Sequence, residues 1–339
     1  FVQSVDLTER ADALLEVDPR GAVFLGCGFA RTVEDHLRAS GALLFPQLPD
    51  LPFDPYRGRL YDAVELYGTG EYAASLDAKV YAWAHAQRAD SLTAELGTTL
   101  HDHSITEALD DLTSQVELRN IVGIMGGHAV ARTDDTYRAA AELGASLTAA
   151  GRTVLTGGGP GAMEAANLGA YLSPWPDSVD EALTIMKLAP SYRLSLDRWA
   201  RSAFRVRARW PIADAGRSLS IPTWFYGHEP TNVFATEIAK YFSNALREDA
   251  LLHRCEGGVV FLPGKAGTVQ EIFQAVTENF YAADASLIAP LILVGRQYWT
   301  NSYPAWPLLQ RLGAGRPMSE LIYCVDDVHE ASSLVTARG

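Results

Sequence analysis

"RTVLTGGGPGAMEAANLGAYL", residues 152–172, decides the fold. Its opening reads as a buried strand. The glycines that follow allow a tight turn and close backbone approach, and the spacing predicts a helix over 160–171. Backbone N–H groups exposed at such a helix start, reinforced by the helix dipole, bind phosphate. Gly157, Gly159 and Ala162 satisfy the loose G-x-G-x-x-[GA] dinucleotide fingerprint. The acid expected about 20 residues later at the end of a strand is missing, because that region reads "SPWPDSVDEAL". A nicotinamide cofactor is therefore demoted.

A second stretch repeats the pattern. "VVFLPGKAGTVQEIF", residues 259–273, sets an apolar run before a glycine hinge and a helix from Thr268. It is not a triphosphate loop: five residues separate Gly258 from Gly264, and Ala266 stands where the magnesium-binding hydroxyl belongs. The hinge can still wrap a monophosphate with its backbone N–H groups, the Thr268 hydroxyl and the Lys265 ammonium. Glu271 follows on the first helical turn, where a carboxylate is also simply favourable with the dipole.

Outward from these loops, "NIVGIMGG", "SLSIPTWFY", "APLILVG" and "ELIYCVDD" add strands, with a helix from about Asn232 to Leu252 after the third strand of the series. Alternating strands and helices predict a Rossmann-like α/β fold, a doubly wound parallel sheet of about six or seven strands. Ligands bind such sheets beyond the carboxyl ends of the strands, where both glycine clusters lie. Residues 1–116 differ. They hold one strand-helix-strand unit, a Pro-rich passage and helical stretches, and read as an accessory N-terminal α/β domain. Residues 117–339 then form the nucleotide-binding domain, with an Arg-rich insertion at about 173–216. The insertion's arginines read either as a solvated helix or as an anion site. "HDHS" (His101, His103) reads as a loop before a helix capped at Ser104 rather than a metal cluster. Tyr226, His228, Glu229 and Asn232 fit a base or ribose pocket and a simple turn with its cap equally well.

Composition narrows the function. The chain has 339 residues, 48% hydrophobic and 20% charged, enough to bury a sizeable core. A formal net charge of −13 argues against general binding to nucleic acid or anionic membranes. Cys27, Cys255 and Cys324 are widely separated and read as thiols in a reducing compartment. No apolar stretch approaches the ~20 residues that span a bilayer. The expectation is a soluble, cytoplasmic protein.

The pair "GGGPGAMEAAN" and "PGKAGTVQE" resembles the signature of the Lonely Guy (LOG) family, often labelled "lysine decarboxylase", whose second motif is PGGxGTxxE. The resemblance covers roughly residues 118–330 and implies a Rossmann-like nucleoside 5′-monophosphate phosphoribohydrolase of the larger nucleosidase type. Such enzymes cut the N-glycosidic bond to give free base and ribose 5-phosphate. The resemblance implies Glu271 and Arg247 as the catalytic pair. It implies Gly158, Gly159, Gly161 and Met163 in one phosphate or nucleotide loop, and Gly264, Lys265, Ala266, Gly267 and Thr268 in the other. Gly127, His128, Glu229 and Asn232 are the candidates for the base or ribose pocket. A homodimer or higher homo-oligomer is expected. Two departures bear on substrate choice: Lys265 replaces the second glycine of PGG, and "MGGH" replaces the usual Cys-Gly-Ser. The alternative is a non-catalytic carrier or regulatory protein that binds a nucleotide or pterin nucleotide on the same fold.

Overall fold

The computed structural model describes residues 1–68, 70–87, 91–225 and 229–337. Seven strands form the main sheet: β4 (Ile121–Met125), β5 (Thr153–Thr156), β6 (Ser218–Ser220), β7 (Glu237–Ile238), β8 (Val259–Phe261), β9 (Leu291–Val294) and β10 (Ile322–Val325). Their order is β10-β9-β8-β4-β5-β6-β7, and every pairing is parallel. The expected fold class is therefore observed. All of β4, β5 beyond Thr153 and all of β8 and β9 are buried, as in sheets covered on both faces.

Chain order explains where a ligand can bind. From β4 the chain steps outward through β5, β6 and β7, then returns to the other side of β4 for β8, β9 and β10. The loops leaving β4 and β8 thus diverge, and the crevice between them is the topological switch point.

The helices in chain order are α1 (Ala11–Glu16), α2 (Arg31–Ala39), α3 (Ala63–Tyr67), α4 (Leu76–Gln87), α5 (Leu92–Thr113), α6 (Asp135–Ala149) and α7 (Ala162–Leu172). They continue as α8 (Val179–Met186), α9 (Leu196–Arg209), α10 (Asn244–His253), α11 (Ala266–Tyr281), α12 (Ala305–Gly313) and α13 (Val328–Thr336). None of those described is long and apolar enough to cross a membrane.

A second, three-stranded parallel sheet opens the chain: β1 (Val2–Gln3), β2 (Val23–Leu25) and β3 (Leu43–Phe45). Its small core of Phe24, Val33, Leu37 and Ala42 is separate. Phe53, Leu66, Val80, Ile105 and Leu109 belong instead to the core around the large sheet. The apolar cores thus divide between residues 44 and 53, whereas residue 116 lies just past the end of α5.

Two local readings are corrected. The helix expected from Asn232 starts at Asn244, where the Ser243 side chain accepts from the Leu246 N–H. The preceding segment is tied up elsewhere, because Ile238 exchanges two 2.9 Å backbone bonds with Tyr61 beside its pairing with β6. "HDHS" lies inside α5, which is capped at Ser91. His101 there is fully buried and meets the Tyr61 hydroxyl at 2.8 Å. Ser104 donates to the Pro55 carbonyl rather than capping a helix.

The insertion is helical and anchored. Trp199, Ala203 and Val206 bury one face of α9, while Arg198, Arg201 and Arg205 are exposed. Buried Arg132 holds the insertion to the core, donating to the Trp199 carbonyl at 3.1 Å and the Ser202 hydroxyl at 2.7 Å. The same guanidinium pairs with Glu164 of α7 at 2.5 Å.

Candidate functional site

The loop after β5 is folded tightly against its neighbours. Gly158 and Gly161 take positive φ values of 72° and 73°, which side chains disfavour. A Cβ on Gly161 would run into the Gly127 carbonyl and come within 2.9 Å of the His128 carbonyl carbon. Asn232 is the staple of this loop. Its amide N–H groups reach the Gly159 carbonyl (3.3 Å) and Asn167 (3.0 Å), and its backbone N–H donates to the Gly158 carbonyl at 2.8 Å. Asn167 also accepts from the Thr156 hydroxyl at 2.7 Å. The Asn232 side chain is thus spent on the loop itself, fully buried.

The loop after β8 is built differently. The Gly127 N–H donates to the Pro263 carbonyl at 3.1 Å, joining the two sides of the switch point. Thr268 is buried beneath Gly264, whose added Cβ would lie 2.7 Å from the threonine Cβ. Tyr298 donates its hydroxyl to the Gly264 carbonyl at 2.6 Å. Lys265, Ala266 and Gly267 are exposed at the start of α11.

Arg247 and Glu271 come together from α10 and α11. Arg247 Nη1 is 3.6 Å from Glu271 Oε1 and 2.5 Å from Glu248 Oε1. Arg247 Nε donates to the Ile221 carbonyl at 2.9 Å. Its Nη2 lies over the first glycine loop, 2.8 Å from where a Gly157 Cβ would stand. That position also meets Met163 Sδ at 2.9 Å, so Met163 and Arg247 both pack on Gly157.

Arg247, Glu248 and Glu271 are 8%, 3% and 6% exposed. Burial pushes the Glu271 carboxyl up to about 8. Arg247 opposes the rise, and the Glu248 and Glu229 charges add to it. The buried site thus favours the protonated form of Glu271.

Glu229 and His128 form the open side. His128 Nδ1 is 3.1 Å from Glu229 Oε1, both half-buried, and Glu229 Oε2 comes within 3.7 Å of a Cβ built on Gly159. Just beyond Glu229, Thr231 is pinned by buried Lys240 at 2.8 Å, and Lys240 pairs with Asp77 at 2.5 Å. Tyr226 and His228 lie outside the described residues. Sequence reasoning missed Glu248, because adjacent residues on a helix do not face each other and nothing in "ALRED" marks the acid as turning back on Arg247. It also missed Asn167 and Thr156, whose only signal was their place beside the glycines.

Residues 119–173 match the model of the SLOG cluster4 family. That model is of the LOG/lysine decarboxylase-like Rossmann-type superfamily, whose motifs this sequence resembles. Comparison with curated proteins gives no match. Among solved structures, the molybdenum cofactor binding protein from Rippkaea orientalis is 16% identical with a TM-score of 0.39, covering 64% of this chain and 96% of that one. The molybdenum cofactor carrier protein MCP from Chlamydomonas reinhardtii is 17% identical with a TM-score of 0.40, covering 64% and 95%.

Proposed function

We propose that the protein hydrolyses the N-glycosidic bond of nucleoside 5′-monophosphates to free base and ribose 5-phosphate. One observation carries the reading: Arg247 and Glu271 meet in a buried site beside two glycine loops at the switch point. The helix starts of α7 and α11 offer N–H groups and positive dipole ends to the phosphate. The Arg247 fork adds a fixed cation over the first loop.

Burial gives Glu271 its role in this reading. As a neutral acid it donates its proton to a nitrogen of the departing base while the C1′–N bond breaks. The carboxylate so formed then faces the oxocarbenium charge on the ribose. Water attacks C1′ and returns a proton to Glu271, so the residue ends as it began.

The test is to incubate the protein with a panel of nucleoside monophosphates and to measure free base and ribose 5-phosphate. AMP should be turned over and adenosine poorly, since the loops hold the phosphate. Equal turnover of both would sink the phosphate-anchoring argument. Saturable binding of nucleotide with no base released would make the protein a carrier of nucleotides or pterin nucleotides instead.

A further inference from the structure

One buried acid of the site has no part in the chemistry above. Glu248 is 3% exposed, and helical spacing alone does not bring it to its neighbour Arg247. The guanidinium nevertheless bends back, with Nη1 at 2.5 Å from Glu248 against 3.6 Å from Glu271. Glu248 Oε2 is buried without a hydrogen-bond partner among the described residues. A buried carboxylate with one idle oxygen is costly, so packing around α10 must hold it there. The rest of the fork is fixed, with Nε on the Ile221 carbonyl and Nη2 over Gly157.

We propose that Glu248 is the positioning carboxylate of this site: it holds Arg247 Nη1 so that Nη2 faces the first glycine loop and Nη1 stands 3.6 Å from Glu271, outside hydrogen-bond contact. The catalytic consequence rests on the hydrolytic reading; the geometry does not. The groups whose charge acts on Glu271 are Arg247 and Glu248 on α10 and Glu229 after β6, and the buried Cys255 thiol beyond α10 also feels the Glu271 charge. Arg247 favours the ionised carboxylate, whereas Glu248 and Glu229 favour the protonated acid. Removing the Glu248 charge removes one of the two opposing acids and frees Arg247 to close the 3.6 Å gap. Both changes ionise Glu271 and take away the proton meant for the leaving base.

The experiment compares the full chain with Glu248→Gln by a ¹³C carboxyl NMR titration of Glu271 without ligand, the signal being assigned by its loss in Glu271→Gln. The midpoint should fall by about one pH unit or more in Glu248→Gln. An unchanged midpoint overturns the proposal. The alkaline limb of base release should move down by the same amount, with kcat affected more than KM. A merely structural Glu248 would lower the melting temperature and leave the midpoint in place. Glu248→Asp covers a glutamine variant that does not fold: withdrawing the charge by one methylene should lower the midpoint part-way, and no change overturns the proposal equally. The titration needs no turnover, so it judges Glu248 even if wild type releases no base at any pH, which would sink the hydrolytic reading alone.

Discussion

The two glycine loops look alike in sequence and differ in what their glycines are for. In the loop after β5, Gly157, Gly158, Gly159 and Gly161 are all buried, and a Cβ on any of them would meet another atom at under 3.0 Å. In the loop after β8, Gly264 is likewise buried against Thr268, but Gly267 is exposed and a Cβ there would meet nothing within 4 Å. The first loop is a floor, fixed by Asn232 and roofed by Arg247. The second is an open rim on a helix start. A glycine-rich motif can therefore record packing in one place and access in another, and only the surroundings tell which.

The sharpest way to break this comparison is to put the same methyl into both loops. Gly161→Ala forces a positive φ on an alanine and drives its Cβ into the Gly127 carbonyl. It should cost about 2–4 kcal/mol of stability and abolish activity. Gly267→Ala places a better helix former in the first turn of α11, in open space. Its stability should change by less than about 1 kcal/mol, with any loss confined to nucleotide binding. Thermal melts of the two variants decide it, and equal losses of melting temperature would end the distinction between floor and rim.

The next largest effect lies where the loops meet. Glu271→Gln keeps the shape and removes the acid, and should slow base release by about 10²-fold or more with nucleotide still bound. Stability should move the other way. The folded carboxyl titrates near 8 and the unfolded one near the ordinary 4.5. As pH rises from 4.5 to 8 the unfolded chain gives up a proton that the folded chain keeps, so this group costs wild type stability across that window and no more above it. The melting-temperature advantage of Glu271→Gln over wild type should grow between pH 5 and 8 and then level off. A difference independent of pH would mean that Glu271 ionises normally in the fold.

How far the sequence reached follows the same divide between local and distant causes. Strand ends with glycines were legible at β4, β5 and β8, because burying a strand and turning it tightly are local demands. Glu271 was placed beside the second loop by its position on the first turn, whereas Arg247 came from the motif resemblance. The segment 231–243 misled, since Val233, Phe234, Ala235 and Ile238 suit a buried helix as well as a buried edge. What settles it is Asn232 serving Gly159, and Tyr61 serving Ile238. His101 and Asp102 misled likewise, looking like loop residues until their partners arrive from afar. Those partners are Tyr61 for the imidazole and the backbone N–H groups of Phe242 and Ser243 for the carboxylate. Glu248 had no signal at all, because its meaning lies in a guanidinium that turns back on its own helix.

The smallest expected effect concerns the residue that distinguishes the second loop from the usual PGG. Lys265 is exposed and stands at the N-cap of α11 without capping it through its side chain. An ammonium at the positive end of a helix dipole is unfavourable by about 0.3–1 kcal/mol, and under the proposed function its compensating gain is a contact to the phosphate. Lys265→Gln keeps the length and removes the charge. Stability should stay level or rise by a few tenths of a kcal/mol. KM for a nucleoside monophosphate should rise about two- to fivefold at low ionic strength, the size of one exposed ion pair. Because the ammonium is open to solvent, the difference from wild type should fade as salt shortens the Debye length below about 5 Å. Titrating KM against salt for both proteins separates a rim that grips phosphate from one that merely lines the entrance. Identical values at every ionic strength would leave Lys265 outside the site and confine anion binding to the backbone of the loop and the fork of Arg247.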